Sequence, residues 1–496
     1  MTEPPATTES DLSPKAFWIA ALATLFLFTW WQSRDIAKPW IGEHDWNGAA
    51  WSTAARHLIE RPMSETRMGV SLDHGSVPLD PKAFYVHHPP LVVWLMAGAY
   101  KAFGVSETVG RLIPIAFSLF GAVCLAGLTT MLAGRRAGLF SLIVFLSTPC
   151  LLYYGRMPNH EPIGLPLMIA AASAGAAWAR NPTTLRFALC LGAVALACFS
   201  CWVAFVFAAT LGLAALWWTP NGKRLFTGVG LASTAALLFL LWHIKTVRAD
   251  GWSDLLAAFF VRSESVDLSD WLTTMVNWML RLLTLGCAAV LLHAMRIVRL
   301  PTESERAILP LVVAGWSNVL LFRQGAFVHE YYCYYLCAPA AIILGAAIAR
   351  IRMSNGVIWI VLLSCVLSGL TTASALRRKQ TNLYASDVVE SPRFVVELGR
   401  RIAERFPTDA TILVDTAPIG EHLAFYADRR LIHLAQATEA DLPKLLSTAD
   451  GVVANIRLHS TRKLLERVLS LAGNRIVKRE EFVVEGHAFA AVRFAK

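Results

Sequence analysis

The chain is short of charge, and it has no cysteine where a secreted domain would use one. Only 16% of its 496 residues are Asp, Glu, Lys or Arg, against 55% hydrophobic. Mean hydropathy is +0.49, too apolar for a soluble enzyme of this length. All nine cysteines (Cys124, Cys150, Cys190, Cys198, Cys201, Cys287, Cys333, Cys337 and Cys365) lie in or beside apolar segments. None falls in the polar stretch 32–108 or in the tail, so there is no disulfide framework, and cysteine leaves the redox compartment undecided. Cys333 and Cys337 sit one helical turn apart and are expected to pack rather than to bind zinc. The tail lacks a Gly-rich phosphate fingerprint, and the sequence shows no transporter-like internal repeat. Its first apolar run ends without a small-residue cleavage site, which reads as a retained span and not a signal peptide.

What is present is a series of long apolar runs, several near the roughly 20 residues that cross a bilayer. The expected fold class is mainly α, a multi-pass membrane protein of about 11 spans, with its N-terminus inside and its C-terminus outside. Residues 1–14 read as a disordered N-terminus. Residues 15–376 form the membrane core, within which 32–108 is an outer loop carrying interfacial helices. Residues 377–496 form an outer α/β domain. The run 89–103 holds only about 15 residues and is expected at the interface rather than across the membrane. Spans are then expected at 15–31, 109–132, 137–154, 161–178, 185–199, 202–218, 225–243, 271–293, 307–322, 331–349 and 356–375. In that register the compact basic links (Arg135-Arg136, 180–186, Lys223-Arg224, 296–306 and 350–352) all fall on the inner side, as the positive-inside rule asks. The net charge of +10 is accordingly read as anchoring to anionic lipid, with no nucleic acid partner.

The same register sends the polar clusters outward: His44-Asp45, His87-His88, Arg156 with His160-Glu161, and Arg323 with His329-Glu330. The loop 245–270 is long enough to act as a lid, and its Arg248 and Arg262 are candidates for an anionic ligand, although its mixed charge equally suits a solvated surface. In the tail, strands are expected at 411–415, 430–433 and 451–455, alternating with helices at 421–428, 439–447 and 460–472. That pattern points to a small, mainly parallel sheet, with 476–477, 482–484 and 488–494 adding a hairpin edge. The tail is assigned a supporting or acceptor-docking role.

Asp45 precedes an Ala-rich stretch of good helix propensity, so it suits two roles, a helix N-cap and a general base that takes a proton from an attacking hydroxyl. Arg156 and Arg323 can pair with an anionic group or simply snorkel to the interface. His88 and His329 face the same choice, as hydrogen-bond donors or as anchors. Three His/acid clusters lie on separate links without tight ligand spacing, so no metal site is assigned and no cofactor is required, a divalent ion remaining an alternative. Tyr331, Tyr332, Tyr334 and Tyr335, with Trp30, Trp31 and Trp40, are read as an aromatic belt.

At this point a family resemblance emerges. The run His44-Asp45-Trp46-Asn47-Gly48-Ala49-Ala50 with Ala54-Ala55-Arg56-His57, then His88-Pro89-Pro90-Leu91 and Gly110-Arg111-Leu112, resembles the opening of bacterial glycosyltransferase family 39 proteins. These belong to the protein O-mannosyltransferase and aminoarabinose-transferase superfamily of the GT-C fold. Arg156-Met157-Pro158-Asn159-His160-Glu161-Pro162 is similar to that superfamily's second acidic motif, and His329-Glu330-Tyr331-Tyr332 to its later His-x-Tyr-Tyr motif.

The resemblance implies a polyprenyl-phosphate-linked sugar donor and inverting transfer to a lipid, glycan or protein acceptor at the outer face of a bacterial inner membrane. It maps the catalytic carboxylate to Asp45 and the second acid to Glu161. Substrate-binding candidates are His44, Arg56, His87, His88, Arg156, His160, Arg323, His329 and Tyr332. His57 stands where relatives often carry Asn. The rival readings are a transporter or flippase of a lipid-linked sugar, a polysaccharide ligase or polymerase, and a sensor with an outward α/β domain.

Overall fold

A computed structural model describes residues 12–76, 78–284, 302–350, 355–379, 391–416, 421–434 and 437–495. It divides into two compact units. The first comprises Met1–Ile36, Val86–Leu95 and Arg111–Arg377, and the second Ala37–Tyr85, Met96–Gly110 and Arg378–Lys496.

The first unit is helical. Helix α1 (Pro14–Ser33) starts where Ser13 accepts a hydrogen bond from the Ala16 amide, with Pro14 supplying a preset φ at its first position. Near its end Gln32, fully buried, donates to the carbonyls of Leu151 and Leu152, and Arg377 donates to the Gln32 side-chain oxygen at 3.0 Å. The second unit contributes α2 (Trp46–Glu60) and the short α3 (Met63–Thr66). Helices α4 (Leu91–Phe103) and α5 (Glu107–Ala133) come next in the chain. With 13 residues, α4 is about 20 Å long, short of the roughly 30 Å apolar layer of a bilayer.

The helices that follow are α6 (Arg135–Ser147), α7 (Pro149–Tyr154), α8 (Glu161–Arg180), α9 (Thr184–Ser200), α10 (Val203–Trp218), α11 (Gly222–Val247), α12 (Gly251–Ser263) and α13 (Leu268–Leu283). After these come α14 (Thr302–Leu321), α15 (Arg323–Val328), a 3-10 segment Glu330–Leu336, α16 (Cys337–Arg350) and α17 (Asn355–Arg378). Six helical segments among the described residues are long and apolar enough to cross a membrane: Pro14–Ser33, Glu107–Ala133, Glu161–Arg180, Gly222–Val247, Glu330–Arg350 and Gly356–Arg378. Four further apolar helices are shorter.

Two expected spans are not the single helices that the hydropathy suggested. The run 137–154 is broken at Thr148-Pro149, because proline cannot donate to the preceding turn and forces Thr148 into extended backbone at ψ 126. The run 331–349 begins as the 3-10 segment and becomes α-helical only at Cys337. The second half of the run 271–293, and the link 296–306 up to residue 301, lie outside the described residues. Close approach of α6 and α16 rests on Gly345, where a Cβ would stand 2.2 Å from Ser141 Oγ.

The second unit is built on a five-stranded sheet of order β4-β3-β5-β7-β6, preceded in the chain by a two-stranded ribbon, β1 (Val70–Ser71) with β2 (Phe84–Tyr85). Strands β3 (Thr411–Val414), β4 (Arg430–His433) and β5 (Gly451–Asn455) are parallel, and β6 (Ile476–Val484) and β7 (His487–Phe494) close the edge as an antiparallel hairpin. Helices α18 (Pro392–Arg405), α19 (Glu421–Ala427), α20 (Leu442–Thr448) and α21 (His459–Ala472) complete the tail. One face of the sheet packs on Phe394, Leu398 and Ile402 of α18, in a cluster that includes Ile41 from the first loop. The other face packs on Leu446, Leu465 and Val468.

The polar loop and the tail therefore share one core. Tyr426 accepts from the Trp40 amide at 2.9 Å and donates to Glu107, and His422 Nδ1 donates to the Trp40 carbonyl at 2.6 Å. Asp73 pairs with Arg430, and His74 Nε2 lies 2.6 Å from Glu421. The aromatic-belt reading fails for several residues. Trp40, Tyr334 and Tyr335 are at most 2% exposed and Tyr332 is 7% exposed, so they fill protein interior, whereas Trp30 remains 55% exposed.

Candidate active site

In the first unit three distant stretches meet. His88, at the end of the outer loop, stacks on His160 with ring centroids 4.3 Å apart and planes 17° from parallel. His160 precedes α8 and donates from Nδ1 to the Ser200 carbonyl at 2.9 Å, which leaves Nε2 as the acceptor nitrogen of a neutral ring. Burial, with each His88 neighbour of like charge adding to it, holds His88 well below the ordinary histidine range. Burial also lowers His160 to about 4. Both rings are accordingly neutral at physiological pH.

Glu161 is 6% exposed at the first position of α8, and its Oε2 has no hydrogen-bond partner among the described residues. Such a carboxylate oxygen is costly to bury and is the kind of group that a substrate hydroxyl would satisfy. Arg262, on α12, acts electrostatically on His87, His88, His160 and Glu161 together. His87 Nε2 sits 2.9 Å from Asp254 Oδ2, and Arg248 Nη1 donates to the same oxygen at 2.8 Å. Trp202 Nε1 donates to the His87 carbonyl at 2.8 Å, fixing the loop end against the start of α10.

The third motif packs beside this cluster. Glu330 receives hydrogen bonds from Tyr154 Oη and, at 3.3 Å, from Arg281 Nη1. Tyr334, Tyr335 and Cys201 are within electrostatic reach of Glu161. His329 stacks on Tyr331 with centroids 5.2 Å apart, and Asn318 donates to the Tyr332 carbonyl at 3.2 Å. Arg156, 9% exposed, donates to the Arg34 carbonyl at 2.7 Å. Arg323 is exposed at the start of α15.

Asp45, His44 and Arg56 belong to the second unit. His44 has φ +61, a left-handed conformation that turns the chain immediately before the acid. Asp45 occupies the N-cap position of α2 without capping through its side chain. Its Oδ2 instead accepts from the Gly42 amide at 2.8 Å, closing a tight turn that holds the half-buried carboxylate. Arg56 pairs with Asp428 at 2.9 Å and lies 4.8 Å over the Phe425 ring, so its guanidinium ties α2 to α19. Among the described residues no three His, Cys, Asp or Glu side chains are grouped to hold a metal ion.

The sequence profile of the dolichyl-phosphate-mannose-protein mannosyltransferase family matches residues 87–249, the stretch holding His87, His88, Arg156, His160 and Glu161. The fold matches that of ArnT from Cupriavidus metallidurans, crystallised bound to undecaprenyl phosphate, with a TM-score of 0.66 at 13% identity over 97% of this chain and 98% of that one. The chain has the GT-C fold of the protein-mannosyltransferase and ArnT type. Other GT-C neighbours are the oligosaccharyltransferase AglB from Archaeoglobus fulgidus (TM-score 0.57, 14% identity, 97% of this chain and 75% of that one) and the mycobacterial arabinofuranosyltransferase AftD (0.54, 16%, 98% and 40%). No curated protein sequence matches.

Within this GT-C core, the sequence underweighted Arg262 and overlooked Arg281 and Tyr154. The length of the stretch 245–270, expected as a loop but folded for the most part into α12, was the available signal for Arg262. Nothing in the local sequence around Tyr154 or Arg281 marks either as a partner of Glu330, 176 and 49 residues away.

Proposed function

We propose that the chain is a polyprenyl-phosphate-sugar-dependent glycosyltransferase of a bacterial inner membrane, working at the outer face by inversion on a lipid, glycan or protein acceptor. The acceptor hydroxyl attacks the sugar C1, the bond from C1 to the phosphate oxygen breaks, and the lipid phosphate leaves with the electron pair. The observation that carries the reading is the buried His88–His160 stack together with the partnerless Glu161 oxygen, with the half-buried Arg262 within electrostatic range of all three. Anionic lipid phosphate calls for a cation at the leaving oxygen, and Arg262 is assigned to it, with Arg156 and Arg323 as further cations. Glu161 accepts a hydrogen bond from a sugar or acceptor hydroxyl, and His160 Nε2 accepts a second. His329, stacked on Tyr331, and Tyr332 flank Glu330 and are assigned to substrate contact. Asp45 is the base on the strength of the family resemblance together with its held carboxylate. Arg56 is assigned to the fold rather than to substrate.

A flippase would place its ionisable groups near mid-span. Here His88, His160 and Glu161 stand at helix ends, which favours transfer.

The test is transfer from defined polyprenyl-phosphate sugars by purified protein. Asp45→Asn is expected to lower kcat by about a hundredfold or more, in line with removal of a general base, while donor binding persists. Arg262→Ala is expected to weaken donor binding by about tenfold or more, the scale of one charge-assisted phosphate contact. Unchanged turnover in Asp45→Asn would remove the assigned base, and unchanged donor affinity in Arg262→Ala the assigned phosphate site.

A further inference from the structure

A groove of about 730 Å³ runs between α9 and α11, away from the residues named above. Its lining is mostly apolar, with charged side chains at one end. Lys223 and Arg224 stand at the start of α11, and apolar side chains such as Phe187, Leu191 and Leu231 form the rest. On α11 the lining residues recur at 223/224, 227/228 and 231/232, which at a spacing of four is one stripe of the helix. Phe187 and Leu191 form the matching stripe of α9. Gly228 lets the helices close at the base of the groove, since a Cβ there would stand 2.6 Å from Phe187 Cζ. From 223 to 232 the groove descends about 14 Å, roughly the depth of one bilayer leaflet.

We propose that this groove is a binding site for one anionic phospholipid, its phosphate head between Lys223 and Arg224 and an acyl chain along Phe187, Leu191 and Leu231. The charge, the length and the setting all fit that occupant. Helix α11 is long and apolar enough to span a membrane, and only 28% of its apolar window is buried within the protein, so the groove opens where lipid is the surrounding medium. Arg224 is already braced, its guanidinium carbon 5.1 Å above the Phe187 ring. The nearby Arg186 is occupied differently, donating to the carbonyls of Ala177 and Asn181, and it serves as the control cation. A site of this kind makes activity and stability depend on the lipid composition of the leaflet, independently of the sugar donor.

The full chain would be reconstituted in nanodiscs of phosphatidylcholine doped with photoreactive phosphatidylglycerol, and the crosslinked peptides mapped by mass spectrometry. Label is expected on peptides containing 187–191 and 223–232. It should fall about fivefold for each cation removed in Lys223→Ala and Arg224→Ala, the contribution of one basic side chain at an anionic surface. Arg186→Ala should leave it unchanged. Lys223 and Arg224 are exposed, so the variants are expected to keep the wild-type elution profile, which is checked in the same preparation. Equal labelling by photoreactive phosphatidylcholine, wild-type labelling of the double variant, or label confined to other helices would each overturn the assignment.

Discussion

His57 shows how a single residue couples burial to pH. It is 3% exposed on the inner face of α2, and its pKa falls from 6.5 to about 3, chiefly because burial disfavours the imidazolium, with Arg61 and His74 adding repulsion. The folded pKa is depressed, so between pH 6.5 and about 3 the unfolded chain binds a proton that the folded chain does not. Stability of the second unit should therefore fall as pH drops through that window, with a slope approaching about 1.4 kcal/mol per pH unit. Melting of the wild type and His57→Gln at pH 7 and pH 4.5 checks this. The substitution should flatten the slope, and an unchanged slope would assign the acid sensitivity elsewhere. Asp45 teaches the complementary lesson. The composition following it suits a helix N-cap as well as a base, and the structure speaks only to the cap: the carboxylate turns back to the Gly42 amide rather than to its helix, while the base role stays a proposal.

Helix α12 illustrates what an element contributes beyond its own sequence. It carries both Asp254, which receives His87 and Arg248, and Arg262, which reaches the histidine pair and Glu161. Its placement thus depends on one carboxylate in its first turn. Asp254→Ala should loosen the helix by about 1 to 2 kcal/mol, the net worth of charged hydrogen bonds at a partly exposed site. The readout is amide exchange over 251–263, expected to quicken by about tenfold while exchange in α8 stays as it was. Equal protection in the variant would mean that packing alone holds the element. Periodicity located most of the long apolar helices but left out α12, read as part of a loop, and α18; it also merged α6 with α7, because hydropathy registers Pro149 as one more apolar position and not as a lost backbone donor. Likewise the tail strands were legible from their β-branched runs and turn residues, including the hairpin edge.

For the whole molecule, charge asymmetry carries the orientation. Basic links cluster at alternate connections, and the proposed topology puts the loop 32–108 and the tail outside the membrane. Cysteines introduced at the exposed positions Lys82 and Lys463 should react with an impermeant maleimide in intact cells, whereas one at exposed Asn181 should react only after permeabilisation. The opposite pattern would invert the proposed topology. Division into units was only half visible in sequence. The break near residue 377 follows from a change in composition, but the tail also shares its core with 37–85 and 96–110, through Ile41, the Trp40–Tyr426 contact and the Asp73–Arg430 pair.

The sequence by itself determined the membrane character, the main apolar helices, the strands of the tail and the motifs that mark a GT-C chain, because apolar content, periodicity and short-range turn chemistry are local properties. Tertiary structure decided which polar groups meet. The stacking of His88 on His160, the reach of Arg262 to Glu161, the clamp of Tyr154 and Arg281 on Glu330 and the diversion of Arg56 to Asp428 join residues tens to hundreds of positions apart. Such pairings depend on how helices pack, and helix packing is set by the shapes of whole surfaces, as where Gly345 admits Ser141, rather than by any run of neighbouring residues.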